Sequence, residues 1–223
     1  MDSKRLADLG IHLDTDYNTK NYVEPITDYN KINEMAKILR ASKNQGERNY
    51  LMFIVGINTG LRISDYLEMS VGQFREICER GYIILIPKKT DKRKIDPETG
   101  AVVGSYKKVR IDITDSVKKV IEDYIQDRDD REYMFPSRKG GTPISRQAAW
   151  NILDKAAKQA GITENIGCHS LRKTFGYWHY QQNHDVRLLM NIFQHSSEEV
   201  TLRYIGITDE NMKRSMANMS LGV

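Results

Sequence analysis

Two runs of β-branched and aliphatic residues interrupt a chain whose other apolar residues recur at helical spacing. The runs are YIILIP at 82–87 and KKVRIDI at 107–113, and the segment between them contains Pro97, Gly100 and Gly104. Strand-like runs around a turn-rich segment predict a β-hairpin with a long connection. We therefore expect a mainly α-helical (α+β) fold with one small antiparallel β-hairpin or sheet.

Apolar residues three and four positions apart predict the helices on both sides of this hairpin. Before the hairpin, the predicted helices are one that starts at Thr27 or Asp28, one at 47–58 that stops at Gly60, and a short one that Ser64 caps and that reaches Met69. After it, they are one at 117–125, one from Ser145, one at 169–182, one from Asp185 to Phe193, and one from a Ser196/Glu199 capping box through Tyr204.

Length and composition predict a single globular domain. The chain has 223 residues, enough for one sizeable core, and its 39% hydrophobic and 29% charged residues are typical of a folded protein. Residues 1–24 are polar and weakly periodic, so we interpret them as an arm or linker remnant and residues 25–223 as the folded domain. Without a long apolar run or a secretory signal, and with two cysteines, the chain is expected to lie in the cytoplasm, away from membranes.

Positive charge is concentrated in the predicted hairpin. Residues 86–110 hold eight basic and three acidic residues, a net charge of +5, whereas the whole chain carries +4. The basic residues are Lys88, Lys89, Lys92, Arg93, Lys94, Lys107, Lys108 and Arg110. A local basic patch is what binding to a polyanion requires, although a solvated charged loop is the simpler explanation when the charge is taken alone.

Several common chemistries lack their sequence motifs. The chain has no GxxxxGK[ST] phosphate loop, no GxGxxG after a strand, and no HExxH or CxxC spacing. We therefore expect neither a metal nor a cofactor.

Four short motifs carry the residue types that phosphate chemistry needs. They are TGLRISDYL around Arg62, PKKTDK around Lys89, HSLRKTF with His169 and Arg172, and FQHSSEEVTLRYIGI with His195 and Tyr204. Each motif alone has an ordinary structural explanation. Guanidiniums offer planar, permanently charged donor forks to phosphate oxygens, and tyrosine can act as a nucleophile when a cationic field or a base activates it.

In this order and spacing, the motifs resemble the tyrosine recombinase (phage integrase) family, over roughly residues 25–206. The resemblance implies that the domain at 25–223 is a recombinase catalytic domain. It further implies that Arg62 and Arg172 hold the scissile phosphate, with Asp65 orienting Arg62. By the same resemblance, His169 contacts the phosphate and handles protons, and His195 donates a hydrogen bond. Tyr204 would be the nucleophile, and Lys89 would protonate the leaving 5′ oxygen. Lys88 and Lys92 remain alternatives to Lys89. The other expected DNA contacts are Lys88, Lys92, Arg93, Lys94, Lys107 and Lys108.

The resemblance also implies partners: double-stranded DNA, three further copies of the chain in a tetramer on DNA, and accessory DNA-bending proteins. Three departures accompany it. Gln194 stands where the family commonly has glycine, and the hairpin connection is long, which leaves the identity of the lysine more open than that of the other five catalytic residues. Only about 24 residues precede the match, where relatives usually carry a DNA-clamping domain.

Two other functions remain open at this point. One is a DNA-binding regulator that keeps the fold without recombining DNA, and the other is a monomeric type IB topoisomerase. If Tyr204 is not the nucleophile, Tyr177 and Tyr180 are the next candidates.

Overall fold

Helices precede and follow one segment of short strands. The computed structural model describes residues 22–43, 45–85, 94–95, 99, 102–103 and 108–207. The helices there are α1 (Tyr29–Arg40), α2 (Gly46–Thr59), α3 (Ile63–Tyr66), α4 (Val71–Arg80), α5 (Asp115–Ile125), α6 (Arg146–Gln159), α7 (Cys168–Asn183), α8 (Val186–Phe193) and α9 (Glu198–Tyr204). The strands are β1 (Tyr82–Leu85), β2 (Lys94–Ile95), β3 (Val102–Val103) and β4 (Val109–Asp112). The expected fold class is confirmed.

The predicted hairpin is confirmed, with one addition. Strands β1 and β4 pair antiparallel, with Tyr82 opposite Asp112. Ile83 and Ile111 are buried while Ile84 is 47% exposed, so one face of this sheet rests on the core. Strands β2 and β3 form a second antiparallel pair within the segment that the sequence indicated only as turn-rich.

Helix α2 lies at the centre of the helical core. It packs against α1, α5 and α7. Gly56 makes the approach to α7 possible, because a Cβ atom there would lie 2.6 Å from Leu171 Cδ1 and 2.9 Å from the Tyr66 hydroxyl. The turn that follows α2 is therefore held beside α7, and these two elements carry the first and third motifs.

Two predicted helix starts were wrong, and one helix was missed. Helix α3 starts directly after Arg62 and ends at Tyr66, so Ser64 does not cap it. Ser197, not Ser196, caps α9, since its hydroxyl accepts the Val200 N–H at 3.2 Å. Helix α4 was not predicted, although it begins with a reciprocal Ser70/Gln73 capping box.

A small second cluster joins the last two helices to the body of the domain. Leu189, Phe193 and Ile205 are its fully buried members. Gly176 on α7 faces this cluster, and a Cβ atom there would lie 2.5 Å from Ile205 Cγ2. Helices α8 and α9 therefore sit directly on α7 at a point where only glycine fits.

Residues 22–26, which we call the strap, run along α7. The backbone N–H of Ile26 donates to the Thr174 hydroxyl at 2.8 Å, and the Trp178 indole donates to the Ile26 carbonyl at 3.0 Å. Pro25 lies against Gly206, just beyond α9. The division into residues 1–24 and 25–223 stays a prediction, and residues 1–21 lie outside the described ranges.

Within the described ranges, each helix is too short or too polar to cross a lipid bilayer. Cys78 and Cys168 are both buried and both free thiols.

Candidate active site

Arg172 lies at the centre of the site, on the inner face of α7. It is 3% exposed, and its guanidinium donates to the Gly60 carbonyl and, at 3.4 Å, to the Ile192 carbonyl. The guanidinium also lies 4.4 Å from the centre of the Phe193 ring. One buried cation therefore contacts both the turn after α2 and the end of α8.

Arg62 reaches the same place from the turn that ends α2. Gly60 adopts a left-handed conformation with φ of 62°, and a Cβ atom there would lie 2.3 Å from the Phe175 ring. The predicted glycine stop is thus confirmed, and its carbonyl is the acceptor for Arg172. Arg62, two residues on, is half-buried in extended backbone at the start of α3.

The electrostatics show that Arg62, Asp65, Arg172 and Tyr204 share one site. Burial, and secondarily the charge of Arg62, lower the pKa of the Arg172 guanidinium to about 10. Tyr204 and Asp65 act in the opposite direction, and Arg172 also hydrogen-bonds the Tyr204 side chain. Since burial is the largest cause of the downward shift, the guanidinium has lost solvation that Tyr204 and Asp65 only partly replace, and an anion such as a phosphate diester could replace more of it.

Tyr204 lies at the end of α9, framed by aromatic rings. Its ring makes edge contacts with His195, at 5.0 Å between centroids, and with Phe193, at 5.4 Å. Lys173, which follows Arg172 on α7, places its ammonium 5.1 Å from the centre of the Tyr204 ring. The phenol predicted to be the nucleophile thus lies beside Arg172 of its own chain, and the charge of Arg62 acts on the same guanidinium.

Thr201 orients the ring of His195. His195 Nδ1 lies 3.1 Å from the Thr201 hydroxyl oxygen, and that hydroxyl lies 3.1 Å from the Ser197 carbonyl. A carbonyl can only accept, so the single hydroxyl hydrogen goes to Ser197 and the oxygen accepts the proton on Nδ1. In its neutral form, His195 therefore presents an unprotonated Nε2, and it can donate from that atom only as an imidazolium.

His169 lies one turn before Arg172 on α7 and is partly buried. Its Nε2 is 3.2 Å from the Arg146 guanidinium, which has only donors, so Nε2 accepts this bond. Arg146 is the first residue of α6, which Ser145 caps as predicted. Nothing in the sequence linked Arg146 to His169, whereas the spacing of three between Thr201 and Tyr204 could have indicated a shared face of α9.

The structure does not describe most of the nominated basic hairpin residues. Lys88, Lys89, Lys92, Arg93 and Lys107 lie outside the described residues, and only the backbone of Lys94 is described. Lys108 is exposed just before β4. The assignment of Lys89 and the alternatives to it stay predictions.

Gln194 adopts the left-handed conformation, with φ of 58° and ψ of 40°, at the end of α8. This explains a preference for glycine at such a position, because a side chain is strained there. The neighbouring His195 N–H still closes the turn by donating to the Met190 carbonyl at 3.0 Å. The departure at Gln194 therefore leaves the position of His195 defined.

Comparison with known proteins assigns a family and a fold. The sequence profile of the phage integrase family matches residues 28–211. The "Probable integrase/recombinase YoeC" of Bacillus subtilis (strain 168) is 37% identical over 191 residues, which cover 86% of this chain and 93% of that protein. Among solved structures, the XerA recombinase aligns with a TM-score of 0.63 at 18% identity, over 88% of this chain and 65% of XerA. The XerH recombinase, bound to a palindromic difH substrate after cleavage, aligns with a TM-score of 0.56 at 17% identity, over 91% and 55% of the two chains. The chain thus spans a little over half to two thirds of these solved recombinases.

Proposed function

The chain belongs to the phage integrase family, and on that premise we propose that it cuts and rejoins DNA strands through a covalent phosphotyrosine at Tyr204. The resemblance drawn from the motifs is thereby confirmed. The activity that this membership supports is that of a tyrosine-type site-specific recombinase, and a DNA-binding regulator is not favoured. A type IB topoisomerase is the weaker alternative, since the relatives are named as integrases and recombinases.

The observation that carries this proposal is the contact between Tyr204 and Arg172, a buried guanidinium whose pKa is lowered mainly by burial. Arg172 hydrogen-bonds the phenol, and the charge of Arg62 acts on Arg172. A phosphodiester oxygen that enters between the guanidiniums would lie next to the Tyr204 oxygen. Charge that develops on the non-bridging oxygens would then be stabilised by donors that are already in place.

The proposed step exchanges one phosphate ester for another. The Tyr204 oxygen forms a bond to phosphorus, the bond from phosphorus to the 5′ oxygen breaks, and a 3′-phosphotyrosine remains. The phenol gives up its proton, and the leaving 5′ oxygen takes one up. By resemblance, His169 handles the first proton and Lys89 supplies the second. Because the aryl ester keeps the bond energy, a 5′ hydroxyl can reverse the step on a second strand without ATP.

The proposed partners follow from this reaction. Double-stranded DNA is the substrate, and XerH was crystallised on a palindromic site, as a pair of related half-sites would require. Strand exchange between two duplexes requires four active sites, so we extend the proposal to a tetramer on DNA. Accessory DNA-bending proteins and a cytoplasmic location belong to the same proposal.

The test is a covalent trap. Duplexes are first selected from a randomised library with Tyr204→Phe protein, which retains binding without cutting. The selected duplexes are then nicked at successive positions. Cleavage next to a nick releases a short fragment, so that the reverse reaction is lost and the enzyme stays covalently attached to the DNA. Wild type is expected to form a denaturant-resistant adduct, whereas Tyr204→Phe forms none and binds the duplex with unchanged affinity.

Tyr177→Phe and Tyr180→Phe are the matched controls, since both tyrosines lie on α7 close to the same small cluster. Both are expected to form the adduct at wild-type rates. An adduct with Tyr204→Phe protein would move the nucleophile to another tyrosine, and no adduct with any variant or with wild type would refute the enzyme assignment.

A further inference from the structure

Lys173 is a buried cation that the proposed reaction leaves without a role. It is 5% exposed and follows Arg172 on α7. Its ammonium donates to the Val23 carbonyl at 2.8 Å and lies 3.9 Å from the centre of the Tyr22 ring. The same ammonium lies 5.1 Å from the centre of the Tyr204 ring. A lysine is rarely buried this far without a defined set of partners.

The strap holds this ammonium in place. Val23 and Tyr22, which contact it, are fixed by neighbours: the Glu24 N–H donates to the Asn165 carbonyl at 3.1 Å, and the Asn165 amide donates to the Tyr22 carbonyl at 2.7 Å. Because the next residues of the strap are bonded to Thr174 and Trp178, the strap and α7 act as one unit. Lys173 therefore has little freedom to leave the Tyr204 ring.

A cation over the face of a phenol favours the reactive form of that phenol. The ring of a neutral tyrosine already attracts a cation through its quadrupole. When the phenol loses its proton, negative charge spreads into the ring, so the attraction to Lys173 becomes stronger as Tyr204 attacks. An interaction that strengthens during the reaction raises the rate of the chemical step and not merely the affinity for substrate.

We propose that Lys173 is a positioning residue for the nucleophile: the strap fixes its ammonium against the Tyr204 ring, which orients the phenol and supports its negative charge. This rests on the proposed function of Tyr204. Lys173 acts through Tyr204 and makes no contact with DNA in this scheme. Through Lys173, the strap thereby influences the position and the charge of the Tyr204 phenol.

The experiment measures single-turnover adduct formation on the selected, nicked duplex at saturating protein, together with the dissociation constant for the same duplex. Lys173→Met keeps the length of the side chain and removes the charge. It is expected to slow adduct formation by about tenfold to thirtyfold with unchanged DNA affinity. Lys173→Arg, which restores a cation, is expected to recover most of this loss.

Two further variants separate the charge from general destabilisation. Tyr22→Leu removes one of the two rings that contact the Lys173 ammonium, while the charge and its Val23 acceptor remain. Because the ammonium is then held less firmly, this variant is expected to form the adduct about twofold to fivefold more slowly. Lys119→Met on α5, an exposed lysine paired with Asp123, is the matched control and should react at the wild-type rate.

The role of Lys173 would be refuted if the methionine variant reacted as fast as wild type, if arginine were no better than methionine, or if DNA affinity fell in parallel with the rate. Failure of the proposed function gives a different result, because wild type itself would then form no adduct. Thermal unfolding of each variant verifies that the rates are compared between folded proteins.

Discussion

Replacement of Arg172 by methionine separates the contribution of this side chain to stability from its contribution to the site. The fall of its pKa from the ordinary value of arginine to about 10 means that the folded protein disfavours the charged form by roughly 3 kcal/mol relative to the unfolded chain. Methionine removes this penalty. It also removes the hydrogen bonds to the Gly60 and Ile192 carbonyls, each worth about 1 kcal/mol, and the contact with the Phe193 ring, worth about 1 kcal/mol.

These contributions nearly cancel, so the free energy of unfolding of Arg172→Met should lie within about 1 kcal/mol of the wild-type value. The expected loss of adduct formation is about a hundredfold to a thousandfold, as for removal of one donor to a developing oxyanion. Because the folded-state pKa of this base is lowered, the penalty on its charge is fully present below pH 10 and is relieved only as the pH rises from about 10 towards the ordinary pKa of arginine. The difference in stability between the two proteins should therefore be constant between pH 7 and 9.

The assay is urea unfolding at pH 8 followed by circular dichroism, in parallel with the covalent trap. Arg128→Met is the control, since Arg128 donates to the Met134 and Tyr133 carbonyls and pairs with Glu132, away from the site. That variant should lose about 2 kcal/mol of stability and keep its rate. Loss of more than about 3 kcal/mol by Arg172→Met would show that burial of the guanidinium is not costly, and a wild-type rate would remove Arg172 from the site.

Three further changes test other parts of the site. Thr201→Val removes the acceptor of the His195 Nδ1 proton at constant shape and should slow adduct formation by about threefold to tenfold, with DNA affinity as the unaffected reference. Gly176→Ala forces a methyl group to within 2.7 Å of the Phe193 ring; thermal unfolding should report a loss of about 1–3 kcal/mol, and an unchanged melting temperature would contradict this packing. If Lys108 contacts a phosphate, Lys108→Gln should make the slope of log affinity against log salt concentration about 0.9 less steep, and an unchanged slope would show that Lys108 makes no phosphate contact.

Local signals in the sequence predicted most of the fold. Gly60 ends α2 in the left-handed conformation, Asp185 caps α8, and the two β-branched runs pair with each other. Each of these features depends on residues close together in sequence or on a strong strand pattern. Helix α4 was missed although its capping box is visible at Ser70 and Gln73, so the sequence does contain a local signal for this helix.

The cap of α9 shows where local rules stop. Ser196 and Ser197 are both good caps, and the spacing to Glu199 favoured the first. In the structure, Ser197 is the cap, and this phase of the helix puts Thr201 and Ile205 fully inside. Burial against α7, which no local pattern encodes, decided between two adjacent serines.

The nominated site residues were found by motif, but their neighbours were not. Lys173 contacts Val23 across 150 positions of sequence, and Arg146 meets His169 across 23. Contacts of this kind depend on how helices pack, and nothing in the sequence distinguishes Lys173, next to the nominated Arg172, from an ordinary surface lysine. For this reason, the sequence named the residues expected at the phosphate and missed those that hold them.

Arg172 contacts the element that carries Tyr204, and in the proposed reaction it also binds the phosphate. Among the described residues, helices α8 and α9 pack on α7 through a small cluster whose fully buried members are Leu189, Phe193 and Ile205. Arg172 adds to this packing, since it donates to the Ile192 carbonyl, stacks on Phe193 and hydrogen-bonds Tyr204. Burial nevertheless disfavours its charge. In the proposed reaction, a phosphate that binds Arg172 would therefore stabilise the same cation that holds Tyr204, so that capture of the substrate and placement of the phenol would be one event.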